Sequence, residues 1–78
     1  MNWKKRYQSL DNLKPGDKVL IRNDLVNDER YGNDTFVYQM EKYRGKILTI
    51  SKIINDKYHM EKDLGWNWTK EMFKEKVI

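Results

Sequence analysis

Apolar positions alternate with polar ones in several short stretches of this chain and fall at helical spacing in two others. In Lys18-Val19-Leu20-Ile21-Arg22, Val19 and Ile21 share one face, while Lys18, Leu20 and Arg22 share the opposite one. That period of two marks a strand. Lys46 to Ile54 is the strongest strand pattern: Leu48 and Ile50 alternate with Ile47, Thr49 and Ser51, and β-branched residues dominate. Asn55-Asp56-Lys57 reads as a hairpin turn, although an ideal type I′ turn would carry a different second residue. Lys57 to Glu61 pairs back, with Tyr58 and Met60 on one face. Asp63-Leu64-Gly65 turns again, and Gly65 to Trp68 reads as a short strand with both indoles on one face. Thr69 is placed to cap a single helical turn through Phe73, and Lys76-Val77-Ile78 to add a last edge strand.

The helical spacings lie elsewhere. Trp3, Tyr7, Leu10 and Leu13 recur on one helical face, so the basic lead-in 1–13 is either a short amphipathic turn or a frayed tail. Phe36, Met40 and Tyr43 repeat the pattern, with Asp34 or Thr35 placed to cap and Gly45 placed to end a short helix. Lys14-Pro15-Gly16-Asp17 is a turn, since Pro presets one φ and Gly accepts a positive one. Residues 23–34 form an acidic loop rich in Asn and Asp. Short strands between turn clusters, with one long loop after the first, predict a mainly β fold. The expected form is a small SH3-like barrel of four to five strands over 14–78, with one or two short helical turns.

Length makes this a one-domain reading, and 78 residues leave a thin stability margin, since such a chain buries only about 60% of its unfolded surface. There is no Cys and only one His, which removes disulfides and the usual zinc patterns. The core therefore rests on packing of the aromatic residues. Charged residues are 36% of the chain and the net charge is +4. Segments 1–22 and 36–62 are basic, 23–35 is acidic and the remainder is neutral, which focuses the potential on one face. No apolar run follows the basic start and none is long enough to span a membrane, so a cytoplasmic setting is expected.

Lys14-Pro15-Gly16-Asp17-Lys18-Val19-Leu20-Ile21-Arg22 looks like the opening of SH3-like and KOW-type barrels. Tyr31-Gly32, Phe36-Val37, Met40, Tyr43, Gly45-Lys46, Thr49-Ile50, Tyr58 and the closing Gly65-Trp66-Asn67-Trp68-Thr69-Lys70-Glu71-Met72 follow. Together, over roughly residues 13–73, they resemble a group of small, mostly uncharacterised proteins of phages and prophages of Gram-positive bacteria. The resemblance implies an SH3-like barrel and a mobile-element setting. It implies no established activity and assigns no site residues.

Chemistry is sparse. His59 is the sole histidine and is placed on an outward strand face, and neither Ser9 nor Ser51 has a nucleophile's context. The four glycines are dispersed and form no phosphate-binding pattern. Asp24, Asp28, Glu29 and Asp34 lack the spacing of a calcium loop and read as a solvated acidic loop. The sequence thus predicts a non-enzymatic binding module with no cofactor and no metal. A barrel this small has room for one indole, so one of Trp66 and Trp68 should be core and the other partly exposed. The exposed one would join Tyr31, Tyr38 or Tyr43 in an aromatic platform flanked by Arg44 and Lys46.

Three partner classes follow. The leading one is a protein, with the acidic loop and the Trp surface docking on a host or phage protein, inhibition of a host defence enzyme being one form of this. Next is an anionic, nucleotide-like small molecule gripped by Tyr43, Arg44, Lys46 and an exposed Trp. The third is single-stranded nucleic acid along Trp3, Lys4, Lys5, Arg6, Lys18 and Arg22.

Overall fold

The Pro15-Gly16 turn shows how local chemistry starts the fold. Gly16 sits at φ +93°, and the Asp17 N–H donates to the Lys14 carbonyl at 3.1 Å. This turn feeds strand β2, Lys18–Ile21. The structure, a computed structural model, describes residues 7–8, 10–63 and 65–77. Within these, β1 is Tyr7–Gln8, β3 is Arg30–Tyr31, β4 is Asp34–Thr35 and β5 is Ile47–Ile54. β6 is Lys57–Met60 and β7 is Phe73–Val77, with 3-10 helices at Tyr38–Tyr43 and Lys70–Met72. The fold is mainly β.

The main sheet runs β1-β7-β2-β5-β6, and β3-β4 forms a separate two-stranded ribbon. β2 is central, antiparallel to β5 on one side and to β7 on the other. Val19 and Ile21 face the core as expected, at 0% and 1% exposure. β5 shifts register between Ile50 and Lys52, a bulge that bends it toward β6. Beyond β6, Tyr58 and Trp68 exchange both backbone hydrogen bonds, at 2.8 and 2.9 Å. Among the described residues, no backbone ladder closes the sheet into a barrel.

The core joins Val19, Ile21 and Ile50 of the sheet to Leu25, Phe36 and Met40 of the long excursion between β2 and β5. Met60 of β6 and Trp68, Met72 and Phe73 of the C-terminal stretch complete it. Trp68 is fully buried, with Phe36 and Tyr43 edge-on at 6.4 and 5.9 Å between ring centroids.

Several expectations are corrected. Tyr7–Gln8 pairs with Lys76 and Val77 as a strand, where the spacing predicts a helical turn. Trp3 to Arg6 lie outside the described residues. That pairing, with β2 on the other side, makes β7 an interior strand rather than an edge. The loop 23–34 is not simply solvated, since it contributes buried Leu25 and folds back through the β3–β4 ribbon. The helix of the excursion begins after Val37, uncapped by Asp34 or Thr35. Both belong to β4, and the Asp34 carboxylate accepts from Thr35 N–H at 2.8 Å and Lys57 Nζ at 2.8 Å. Thr69 likewise does not cap with its side chain; its hydroxyl donates to the Tyr31 carbonyl at 2.6 Å. The strand expected at Gly65–Trp68 contracts to the single Tyr58–Trp68 bridge.

Two outcomes follow for stability. Asn55 and Asp56 both hold positive φ, at 50° and 64°, as a type I′ turn requires. Asp56→Gly removes steric cost at the second position and should raise stability by about 0.5–1 kcal/mol in urea denaturation. Asp17 accepts from the Lys14 N–H at 3.0 Å and from the ammonium groups of Lys14 and Lys76, each at 3.3 Å. Burial alone would raise its pKa, but these donors outweigh it and hold the carboxyl below its ordinary value. A depressed folded pKa gives stability that is present above the unfolded value, about 3.9. It is lost as pH falls through the folded value. Asp17→Asn should therefore cost about 0.5–1 kcal/mol at pH 7 and shrink the loss of stability on acidification below about pH 4.

Candidate functional site

The first 3-10 helix buries Met40 and turns Tyr43 toward Trp68, which leaves Tyr38, Gln39, Glu41 and Lys42 facing outward. Trp66 lies two residues before the buried Trp68 and is only half-buried. Between them runs a groove of about 530 Å³, lined by Tyr38, Gln39, Glu41, Lys42, Arg44 and Trp66. Tyr38 is 67% exposed, the most exposed large apolar side chain among the described residues. The Trp66 indole N–H is buried with no hydrogen-bond partner.

The charges along the groove differ in how firmly they are held. Arg44 donates through Nε to the Leu25 carbonyl at 2.8 Å, and its guanidinium lies 5.1 Å from the Phe36 ring centroid. Its Nη2 is 3.9 Å from Glu41 Oε2, which also accepts from the Asn27 side-chain amide. Arg44 therefore holds the excursion in place and partly neutralises Glu41. Lys42 is exposed, sits 5.5 Å from the Tyr43 ring centroid, and has no ion pair among the described residues.

Of the residues singled out from sequence, the groove brings together Tyr38, Arg44 and Trp66. Trp68 is instead core, where its Nε1 donates to Asp63 Oδ2 at 2.9 Å. The expectation of one core and one partly exposed indole therefore resolves as Trp68 in and Trp66 out. Tyr43 packs on Trp68, and Lys46 is exposed outside the groove, its carbonyl accepting from Ile21 N–H at 2.9 Å. Tyr31 serves the excursion, since its hydroxyl accepts from Val26 N–H at 2.8 Å.

The basic set is only partly described. Lys18 is exposed on β2, whereas Arg22 is engaged by Asp24 at 2.9 and 3.0 Å and by the Glu71 carbonyl at 2.9 Å. Arg22 lines a second hollow of about 550 Å³ with Leu20, Asn23, Asp24 and Lys74, where no aromatic ring is exposed. Gln39 and Glu41 are not among the residues the sequence points to, whereas Lys42 falls in a basic cluster with Arg44 and Lys46. The helical spacing of Phe36, Met40 and Tyr43 turns 38, 41 and 42 outward, but not 39.

Among the described residues, no group of three His, Asp or Glu side chains comes together to hold a metal ion, and no helix is long and apolar enough to cross a membrane. Comparison with family models, curated proteins and solved structures finds no match to this chain.

The two indoles differ in a way denaturation can read. A buried donor without an acceptor costs about 1–3 kcal/mol. Trp66→Phe deletes that donor at the expense of some packing, so its stability should stay within about 1 kcal/mol of wild type. Trp68→Phe breaks a bond that is made and leaves a gap in the fully buried core around it, so it should cost about 2–3 kcal/mol more. Urea midpoints of the two variants check the contrast.

Proposed function

We propose that this chain is a non-catalytic docking module built on an SH3-like barrel, and that a protein partner binds in the Tyr38–Trp66 groove. The connectivity supports the barrel reading. The order β7-β2-β5-β6 continues through the Trp68 bridge, and a 3-10 turn returns the chain so that the last strand lies beside the first long one. The long excursion between β2 and β5 then holds the position where such barrels carry recognition.

One observation carries the docking reading: an exposed Tyr and a half-buried Trp with an unsatisfied N–H line the same groove. Rigid aromatic side chains lose little entropy on binding and dominate interface energetics. An anionic small molecule is less well served, because Arg44 is committed and Lys46 stands apart. For single-stranded nucleic acid, the described part of the basic stripe contributes only Lys18 without an ion pair. The phage and prophage resemblance makes a host protein, defence enzymes included, the partner class to test.

Selection of a random displayed-peptide library on the intact protein tests this. Binders are expected whose affinity falls at least about tenfold with either Tyr38→Ala or Trp66→Ala, as for interface anchor residues. Binders indifferent to both changes, or tight oligonucleotide binding with steep salt dependence, would overturn it.

A further inference from the structure

We infer that the groove takes an extended peptide segment bearing a carboxylate, which Lys42 reads while Tyr38 and Trp66 grip the neighbouring residues. This rests on the docking reading above and adds the chemistry of the partner. The groove holds one carboxylate and two cations, but they are not equally available. Glu41 is already occupied by the Asn27 amide and the Arg44 guanidinium. Arg44 is pinned by the Leu25 carbonyl and stacked near Phe36. Among the described residues Lys42 is the groove charge left without an ion pair, and it stands on the exposed wall of the groove. Charge complementarity therefore selects an acidic group.

A peptide fits this arrangement better than a phosphate chain. A polyphosphate or nucleic-acid backbone needs several cations in a row, whereas this wall has one open cation next to a carboxylate. The Trp66 N–H lacks an acceptor, and the Gln39 amide is exposed along the same wall. Amide donors and acceptors recur along every extended peptide, so the polar groups of the groove and the partner's backbone have matching chemistry.

The test uses the same random displayed-peptide library on three forms of the full chain: wild type, Lys42→Glu and Lys42→Met. Lys42 is exposed, so both variants should fold, and circular dichroism verifies it. Wild type should enrich peptides with Asp or Glu at a recurring position. Lys42→Glu should enrich Lys or Arg there and weaken the wild-type binders by about tenfold or more. Lys42→Met should lose the acidic preference while its binders still require Tyr38 and Trp66. Trp66→Phe should weaken wild-type binders several-fold with no loss of folding. Neutral or basic peptides enriched by wild type through Tyr38 and Trp66 would overturn the acidic assignment and leave the docking reading standing. Failure to enrich any peptide that depends on Tyr38 or Trp66 would overturn both. A thymidine oligonucleotide that binds the groove more tightly than the selected peptides would overturn the choice of a peptide.

Discussion

Burying Trp68 removes a large apolar ring from water, but it also buries an N–H that must find an acceptor. Asp63 provides it, and in doing so pins the loop between β6 and the second 3-10 helix. Phe36 and Tyr43 reach the same indole edge-on from the long excursion, and the Trp68 backbone pairs with Tyr58. The excursion, β6 and the loop that follows it thus meet at one residue. Burial of a ring this size is worth about 4–6 kcal/mol by area, a large share of the stability open to a chain of this length. The groove depends on this anchor, because it forms where the excursion comes to rest beside the residues preceding Trp68.

The excursion itself is held by side chains that satisfy backbone groups. Arg44 caps the Leu25 carbonyl, Arg22 the Glu71 carbonyl, Lys57 the Asn33 carbonyl at 2.7 Å and Thr69 the Tyr31 carbonyl. A segment with only two short strands and one 3-10 helix leaves many carbonyls without ladder partners, and long polar side chains supply the missing donors. Hence a cation that looks available in the sequence is often already in use. The acidic loop is spent in the same way, with Asp24 on Arg22 and Asp34 on Lys57.

Much of the fold was legible because local chemistry decides it. The Pro15-Gly16 turn, β2, β5 and the Asn55-Asp56 hairpin follow from residue type and period alone. What was not legible depends on partners elsewhere. Nothing local says that Tyr7–Gln8 will cover β7, so the last strand read as an edge. Arg30–Tyr31 and Asp34–Thr35 are too short to show alternation, so their ribbon has the sequence pattern of a loop. The site was half legible. Its aromatic members are visible in the sequence, but Lys42, Arg44 and Lys46 look alike there, since charge in a sequence does not reveal which charges are neutralised on folding.

The separation of the two indoles shows how a small shift in backbone pairing makes a surface. In a continuous strand, residues 66 and 68 would share a face and both rings would compete for one core. Here the pairing reduces to a single bridge at Trp68, so the alternation does not extend to Trp66. The 3-10 helix presents its outward residues at that height, with its inward ones fixed by Met40 in the core and Tyr43 against Trp68. A ring lodged at the rim of the core and a helix face turned away from it therefore end up side by side. The groove is the seam between them, with Trp66 packed against the core on one side and lining the groove on the other.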